Sequence, residues 1–169
     1  EHVSSAQRSF LEEQCYAANI HACFAIPTLK EEPEAGSIFP CDEQKRKLAA
    51  VSFHRAKNHK RGPQELVSVY LSDVHAREWM NKTDAEIYDE CWYLAREVYP
   101  ALPKLFSPFS ISRRPEAIPV HAVGRYADAD RFQKVQRGRK VYFCGDYLAT
   151  ATIEGAIATG LAVQGIDSE

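Results

Sequence analysis

The residues best suited to chemistry lie in Val141–Val163, VYFCGDYLATATIEGAIATGLAV. An apolar run, a Gly145-Asp146 pair, a small-residue loop and a helix starting near Thr152 follow one another. Gly145 lets a ligand come close to the backbone. Asp146, at the carboxyl end of a strand, stands where α/β proteins grip hydroxyls or a ribose-like chain. The helix that follows offers unpaired N–H groups and the positive end of its dipole to an electron-rich ligand. Gly155, Ala156 and Gly160 permit close contact with a flat partner or a neighbouring strand. Strand–loop–helix units of this kind also occur in folds that bind nothing there, so the spacing leaves ligand binding and a structural turn equally open.

Other chemistries find less support. His21 and Cys23 alternate as strand neighbours would, but no second pair has zinc spacing, so no metal is expected. The five cysteines are odd in number and form no C-x-x-C pair. Cys15, Cys23, Cys91 and Cys144 fall in apolar or periodic segments and are expected as buried free thiols. A net charge of −2, with 45% hydrophobic and 26% charged residues, describes an ordinary globular chain of 169 residues. It also lacks the basic excess of a general nucleic-acid binder. The densest basic stretch, His54–Arg61, reads as a solvated hairpin end. The longest uncharged run near the end, Gly155–Ile166, is twelve residues, against the ~20 that a bilayer span needs. The chain is expected not to span a membrane and to be cytoplasmic.

The elements that must position these residues follow from period and punctuation. Ser4 or Ser5 caps a helix running to about Cys15, with Phe10 and Leu11 on its apolar side. Tyr16–Ile26 alternates as a strand and stops at Pro27. Residues 28–42 form a loop, with Ser37-Ile38-Phe39 as a short edge strand. Lys47–Ala56 and Glu65–Ser72 make an antiparallel hairpin across a polar turn. Thr83 and Glu86 form a capping box for a helix whose stripe is Ile87, Cys91, Leu94, Ala95 and Val98, ending at Tyr99-Pro100. A strand at Phe109–Arg113 lies in a proline-punctuated stretch, and 124–138 reads as polar and turn-rich. Lys140–Cys144 reads as a buried strand, and the helix from Thr152 carries Ile153, Ala156, Ile157, Gly160 and Leu161 on one stripe. The fold class expected is α+β, a mainly antiparallel sheet with helices on one side over residues 1–138. A strand and helix at 139–169 follow it.

The segment FCGDY at 143–147, followed by EGA at 154–156 and a small-residue helix, resembles the carboxyl-terminal flavin motif of the amine oxidase superfamily. That superfamily includes monoamine oxidases, protoporphyrinogen oxidase and phytoene desaturase-like enzymes. RRPEAIPVHAVGRY at 113–126 is similar to the segment preceding the last strand there, and the order of the earlier elements follows the substrate-binding half of those enzymes. The resemblance covers nearly all of the chain. It implies that Asp146, beside the backbone of Gly145, contacts the ribityl–pyrophosphate part of FAD. It implies that Thr152 and the N–H groups of Ile153 and Glu154 face the flavin pyrimidine end, where the helix dipole favours the charge of the reduced ring. Pro119 and His121 match the stretch bordering the flavin on its substrate side. His121 is the titratable group nearest the chemistry, although relatives often carry an aromatic residue there.

The sequence departs from that pattern in one respect. The superfamily begins with a strand–G-x-G-x-x-G–helix, and no two of the eight glycines here are separated by a single residue. With Met80 the sole methionine, the expectation is the carboxyl-terminal part of a longer FAD-dependent oxidoreductase. Such an enzyme oxidises a C–N or C–C bond of a small-molecule substrate by hydride transfer to flavin, and the chain by itself would be inactive. Cut from its sheet, the strand at 141–144 would expose edges that invite a homodimer. Two other readings are a natural small subunit docking on a separate FAD-binding chain and a non-enzymatic protein-binding module.

Overall fold

A computed structural model describes residues 3–31, 33–41, 47–57, 62–136 and 140–164. The chain divides into two compact units: residues 18–115 form a sheet unit, and residues 1–17 with 116–169 form a helical unit. The fold is α+β. One five-stranded antiparallel sheet has the order β2-β3-β4-β1-β5. Its strands are β1 (Cys15–Pro27), β2 (Ser37–Ile38), β3 (Leu48–Phe53), β4 (Gln64–Leu71) and β5 (Ser107–Val120). Five helices accompany it: α1 (Ser5–Glu12), α2 (Asp73–Trp79), α3 (Asp84–Val98), α4 (Arg125–Lys134) and α5 (Ile153–Gln164).

The sheet unit is built on the two-residue alternation of β1. Ile20, Ala22, Phe24 and Ile26 are fully buried on one face, where Phe24 meets the rings of Tyr88, Trp92 and Phe106. Across the ladder Phe24 stands opposite Val67, and Val67 opposite Phe53, so three strands feed one apolar layer. α3 closes that layer with Ile87, Cys91, Trp92, Leu94 and Ala95. Its start is the capping box read from sequence, with Thr83 Oγ1 accepting from the Glu86 N–H and Glu86 accepting from the Thr83 N–H.

β5 is longer than the five residues expected of it and contains Pro108, Pro115 and Pro119. It tolerates them because it is an outermost strand of the sheet, one side of which carries no ladder. α2 carries no apolar period, so nothing in the pattern announces it. It starts at Ser72 and buries His75 and Ala76. The basic hairpin end is less solvated than its composition suggests. Arg55 donates to the Leu29 carbonyl and faces Glu65, while His54 bonds Ser68. Residues 58–61 of that stretch lie outside the described residues.

In the helical unit α1 starts at Ser4, whose hydroxyl accepts from the Gln7 N–H while the Gln7 side-chain amide oxygen Oε1 accepts from the Ser4 N–H. α4 corrects the reading of 124–138 as turns. Its buried residues, Arg125, Ala129 and Phe132, make a helical stripe that begins with a charge, and a charge is not counted as apolar. Arg125 is nevertheless buried. Its guanidinium lies 3.5 Å over the Phe10 ring and donates to the Phe10 carbonyl and the Gln14 amide oxygen, so neutral acceptors and a π face offset its desolvation.

Residues 141–144 pair with no strand among the described residues. A lone strand lacks partners for its backbone groups, and here a side chain supplies them. Gln136, buried, donates to the Phe143 carbonyl and accepts from its N–H. Two of the cysteines expected to be buried, Cys15 and Cys144, are exposed, while Cys23 and Cys91 are buried. No helix among the described residues is long and apolar enough to cross a membrane. Removing the ring at the centre of the sheet unit tests this packing. Phe24→Ala is expected to cost about 3–5 kcal/mol, read as a lowered midpoint of urea unfolding with an unchanged m-value.

Candidate functional site

The Gly145-Asp146 turn and the start of α5 come together in the helical unit. Gly145 has φ 151°, a region that side-chain-bearing residues rarely adopt, and a Cβ there would meet the Tyr147 ring at 2.6 Å. The glycine therefore starts the 3₁₀ turn Asp146–Leu148. This turn is tied to α5 through Thr159. The Thr159 hydroxyl accepts from the Gly145 N–H at 2.9 Å and lies 3.1 Å from the Gly145 carbonyl oxygen. It also lies close to the Gly155 and Ala156 carbonyls. From the other side Gln133 of α4 donates to the Leu148 carbonyl.

The start of α5 is equally constrained. Thr152 Oγ1 accepts from the Gly155 N–H at 3.1 Å, the bond of an N-cap threonine. Gly155 is sterically required, since a Cβ there would sit 2.1 Å from the Thr150 carbonyl oxygen. Glu154 folds back on the helix start. Its carboxylate accepts from its own backbone N–H and from Thr152, and these bonds hold its pKa below the usual carboxylate value.

The Asp146 carboxylate makes no hydrogen bond or ion pair among the described residues, and it stands near two phenols. Burial first, then the charge of Asp146, pushes the Tyr16 phenol above its ordinary value. Tyr147 goes up to about 12, chiefly by burial, with Tyr16, Cys144 and Asp146 adding to it. These two tyrosines and Thr159 belong to the site and were not singled out by sequence. A threonine inside an otherwise apolar helix was the one available signal.

Pro119 is buried near the end of β5. His121 stacks on Tyr126 with ring centroids 4.9 Å apart, and both its ring nitrogens are buried without a hydrogen-bond partner. No hydrogen bond or ring contact among the described residues links either of them to the Gly145-Asp146 turn. A cleft of about 420 Å³ between α1 and α4, lined by Gln7, Phe10, Glu13 and Arg131 among others, includes none of these residues.

A family model described as flavin containing amine oxidoreductase matches residues 17–163. The chain belongs to that family. Three solved structures are similar to it. A putative protoporphyrinogen oxidase from Exiguobacterium sp. 255-15 aligns with TM-score 0.68 at 15% identity, over 94% of this chain and 35% of that one. A reduced UDP-galactopyranose mutase aligns with TM-score 0.63 at 13% identity, over 94% and 34%. Putrescine oxidase bound to putrescine aligns with TM-score 0.56 at 17% identity, over 98% and 38%. At these identities the likeness is one of fold. The chain spans a little over a third of the length of each. No curated protein matches it.

The family match covers both the sheet unit and the turn–helix segment that places Asp146. Two measurements test how it is held. Gly155→Ala drives a methyl into the Thr150 carbonyl and Thr159→Val removes the hydroxyl clamp. Each is expected to speed amide hydrogen exchange at 145–149 by more than about tenfold while leaving β1 and β4 protected. The raised Tyr147 phenol sets an alkaline limit. The folded state keeps its proton up to about 12 while the unfolded chain loses it near pH ~10, so this contribution to stability is intact below pH ~10 and is lost as pH rises toward the folded value. Tyr147→Phe is expected to flatten the stability loss over that interval, measured by urea midpoints.

Proposed function

We propose that this chain is the substrate-binding half and the carboxyl-terminal flavin-contacting segment of an FAD-dependent oxidoreductase that removes hydride from a C–N or C–C bond. The observation that carries the reading is the family match over 17–163, which runs through both parts. The residues present fit such a group in a specific way. Asp146 keeps an unpaired carboxylate beside a helix start, suited to accept from hydroxyls of a ribityl chain. The Ile153 N–H, at the first position of α5, lies at the positive end of the helix dipole. Bound there, FAD would supply the hydride acceptor.

The chain's own residues then have distinct tasks. Thr159 and Gly145 fix the turn, so Asp146 is held in place before any ligand arrives. Glu154 stands exposed at the helix start, so its side chain can swing away from a ligand at little cost. Ile153, Ile157 and Leu161 stand exposed along one side of α5. This reverses the expected stripe, because Gly155 and Thr159 form the packed side instead. An exposed apolar row on a helix suits cover by a further layer, and the dinucleotide-binding part of the enzyme is the cover proposed.

The test uses the enzyme that contains this chain. Asp146→Ala is expected to lower flavin content per folded protein by about tenfold, the scale of a lost hydrogen bond to a charged group. Flavin absorbance of the purified protein, with circular dichroism to confirm folding, reads it. Unchanged flavin in the folded variant would remove Asp146 from the cofactor site and favour a structural turn.

A further inference from the structure

The face of the sheet opposite α3 holds a polar cluster that the flavin reading does not use. It begins at Ser68 of β4, fully buried, with its hydroxyl 2.8 Å from Nε2 of His21 and 2.7 Å from Nε2 of His54. A hydroxyl has one proton. Ser68 can therefore donate to only one imidazole, and when it accepts from the other the three groups form a single directed line. His21 is held flat as well. It stands opposite Tyr70 in the ladder and stacks on that ring with centroids 4.5 Å apart and planes 8° from parallel. Its Nδ1 has no hydrogen-bond partner among the described residues.

β5 brings a cation to the same face. Arg113 donates to the Lys82 carbonyl and pairs with Asp84 at the start of α3, which places it on the helix side. The next residue of an extended strand points to the other face, so Arg114 lies on the side of His21. It is exposed and makes no ion pair among the described residues. It is near enough that its charge, after burial and His54, lowers the pKa of His21. The guanidinium of Arg114 is thus the cation that β5 brings to His21.

We propose that this face carries a subsite for a carboxylate group of a small-molecule ligand, formed by the Arg114 guanidinium and Nδ1–H of His21. Ser68, His54 and Tyr70 are positioning residues. An acceptor at Nδ1 selects the direction of the line in which His54 donates to Ser68 and Ser68 donates to His21 Nε2, leaving Nδ1 as a donor. A neutral imidazole beside one guanidinium carries a single positive charge and two adjacent donors. That matches a planar monoanion better than a phosphate dianion. The subsite lies wholly within the sheet unit and does not rest on the flavin reading.

Titration of the protein with sodium acetate at constant ionic strength, followed by the His21 ring proton signals in NMR, tests it. His21→Asn assigns those signals. Acetate is expected to shift them saturably, acetamide to leave them unmoved, and Arg114→Gln, a change at an exposed position, to weaken acetate binding about tenfold. An equal response to acetamide, or acetate affinity unchanged in Arg114→Gln, would overturn the subsite. Tighter saturation by inorganic phosphate than by acetate would overturn its carboxylate assignment. Flavin content enters none of these readouts, so their failure leaves the proposed function where it stands.

Discussion

The alternation of β1 is the constraint on which the rest of the sheet unit depends. Every second side chain, from Ala18 to Ile26, is buried, so α3 must lie on that face and the neighbouring strands must present Val67, Val69, Val51 and Phe53 to it. A slip of one residue would exchange the two faces. It would place His21 in the apolar layer and Phe24 on the polar side. The register His21 opposite Tyr70 and Cys23 opposite Ser68 is therefore specified by hydrophobic burial, and the polar cluster on the far face is its consequence.

The helical unit is held differently. Its apolar cluster is small, consisting of Phe10, Ala129, Phe132 and Leu148 with a few partly buried neighbours. Polar clamps do what a large core would otherwise do. Gln136 satisfies the backbone of Phe143, Thr159 ties the Gly145 turn to α5, and Arg125 bonds α4 to α1. Each clamp satisfies a backbone group that would be costly to leave unpaired. They hold the segment carrying Asp146, and they do so without spending that carboxylate on an internal bond.

The charges of the molecule separate along the same lines. Arg113 is spent on α3, Arg55 on Glu65 and the Leu29 carbonyl, and Arg125 on neutral acceptors. Among the described residues the Asp146 carboxylate and Arg114 are spent on no ion pair, one in each unit, and each stands beside a group whose protonation it alters. Unspent charge next to perturbed titratable groups is the pattern expected where a ligand completes the pairing.

Local rules made much of this legible. The cap of α1, the capping box of α3, the two-residue period of β1 and the β3–β4 hairpin depend on neighbours in sequence, and they stand where the residues placed them. The motif from Gly145 to Gly155 also identified the family, because its glycines are required by backbone conformation and close approach. Only the tertiary structure decided the rest. It made a helix of Arg125–Lys134, because a buried arginine needs Phe10 and Gln14 from far along the chain. It left 141–144 without a strand partner, because pairing requires a second strand that pattern cannot supply. It turned the stripe of α5 outward, since the contact of Gly155 with Thr150 outweighs the apolar count. And it gathered His21, His54 and Ser68 around one hydroxyl, a meeting of two strands and the turn after a third that no spacing in the sequence encodes.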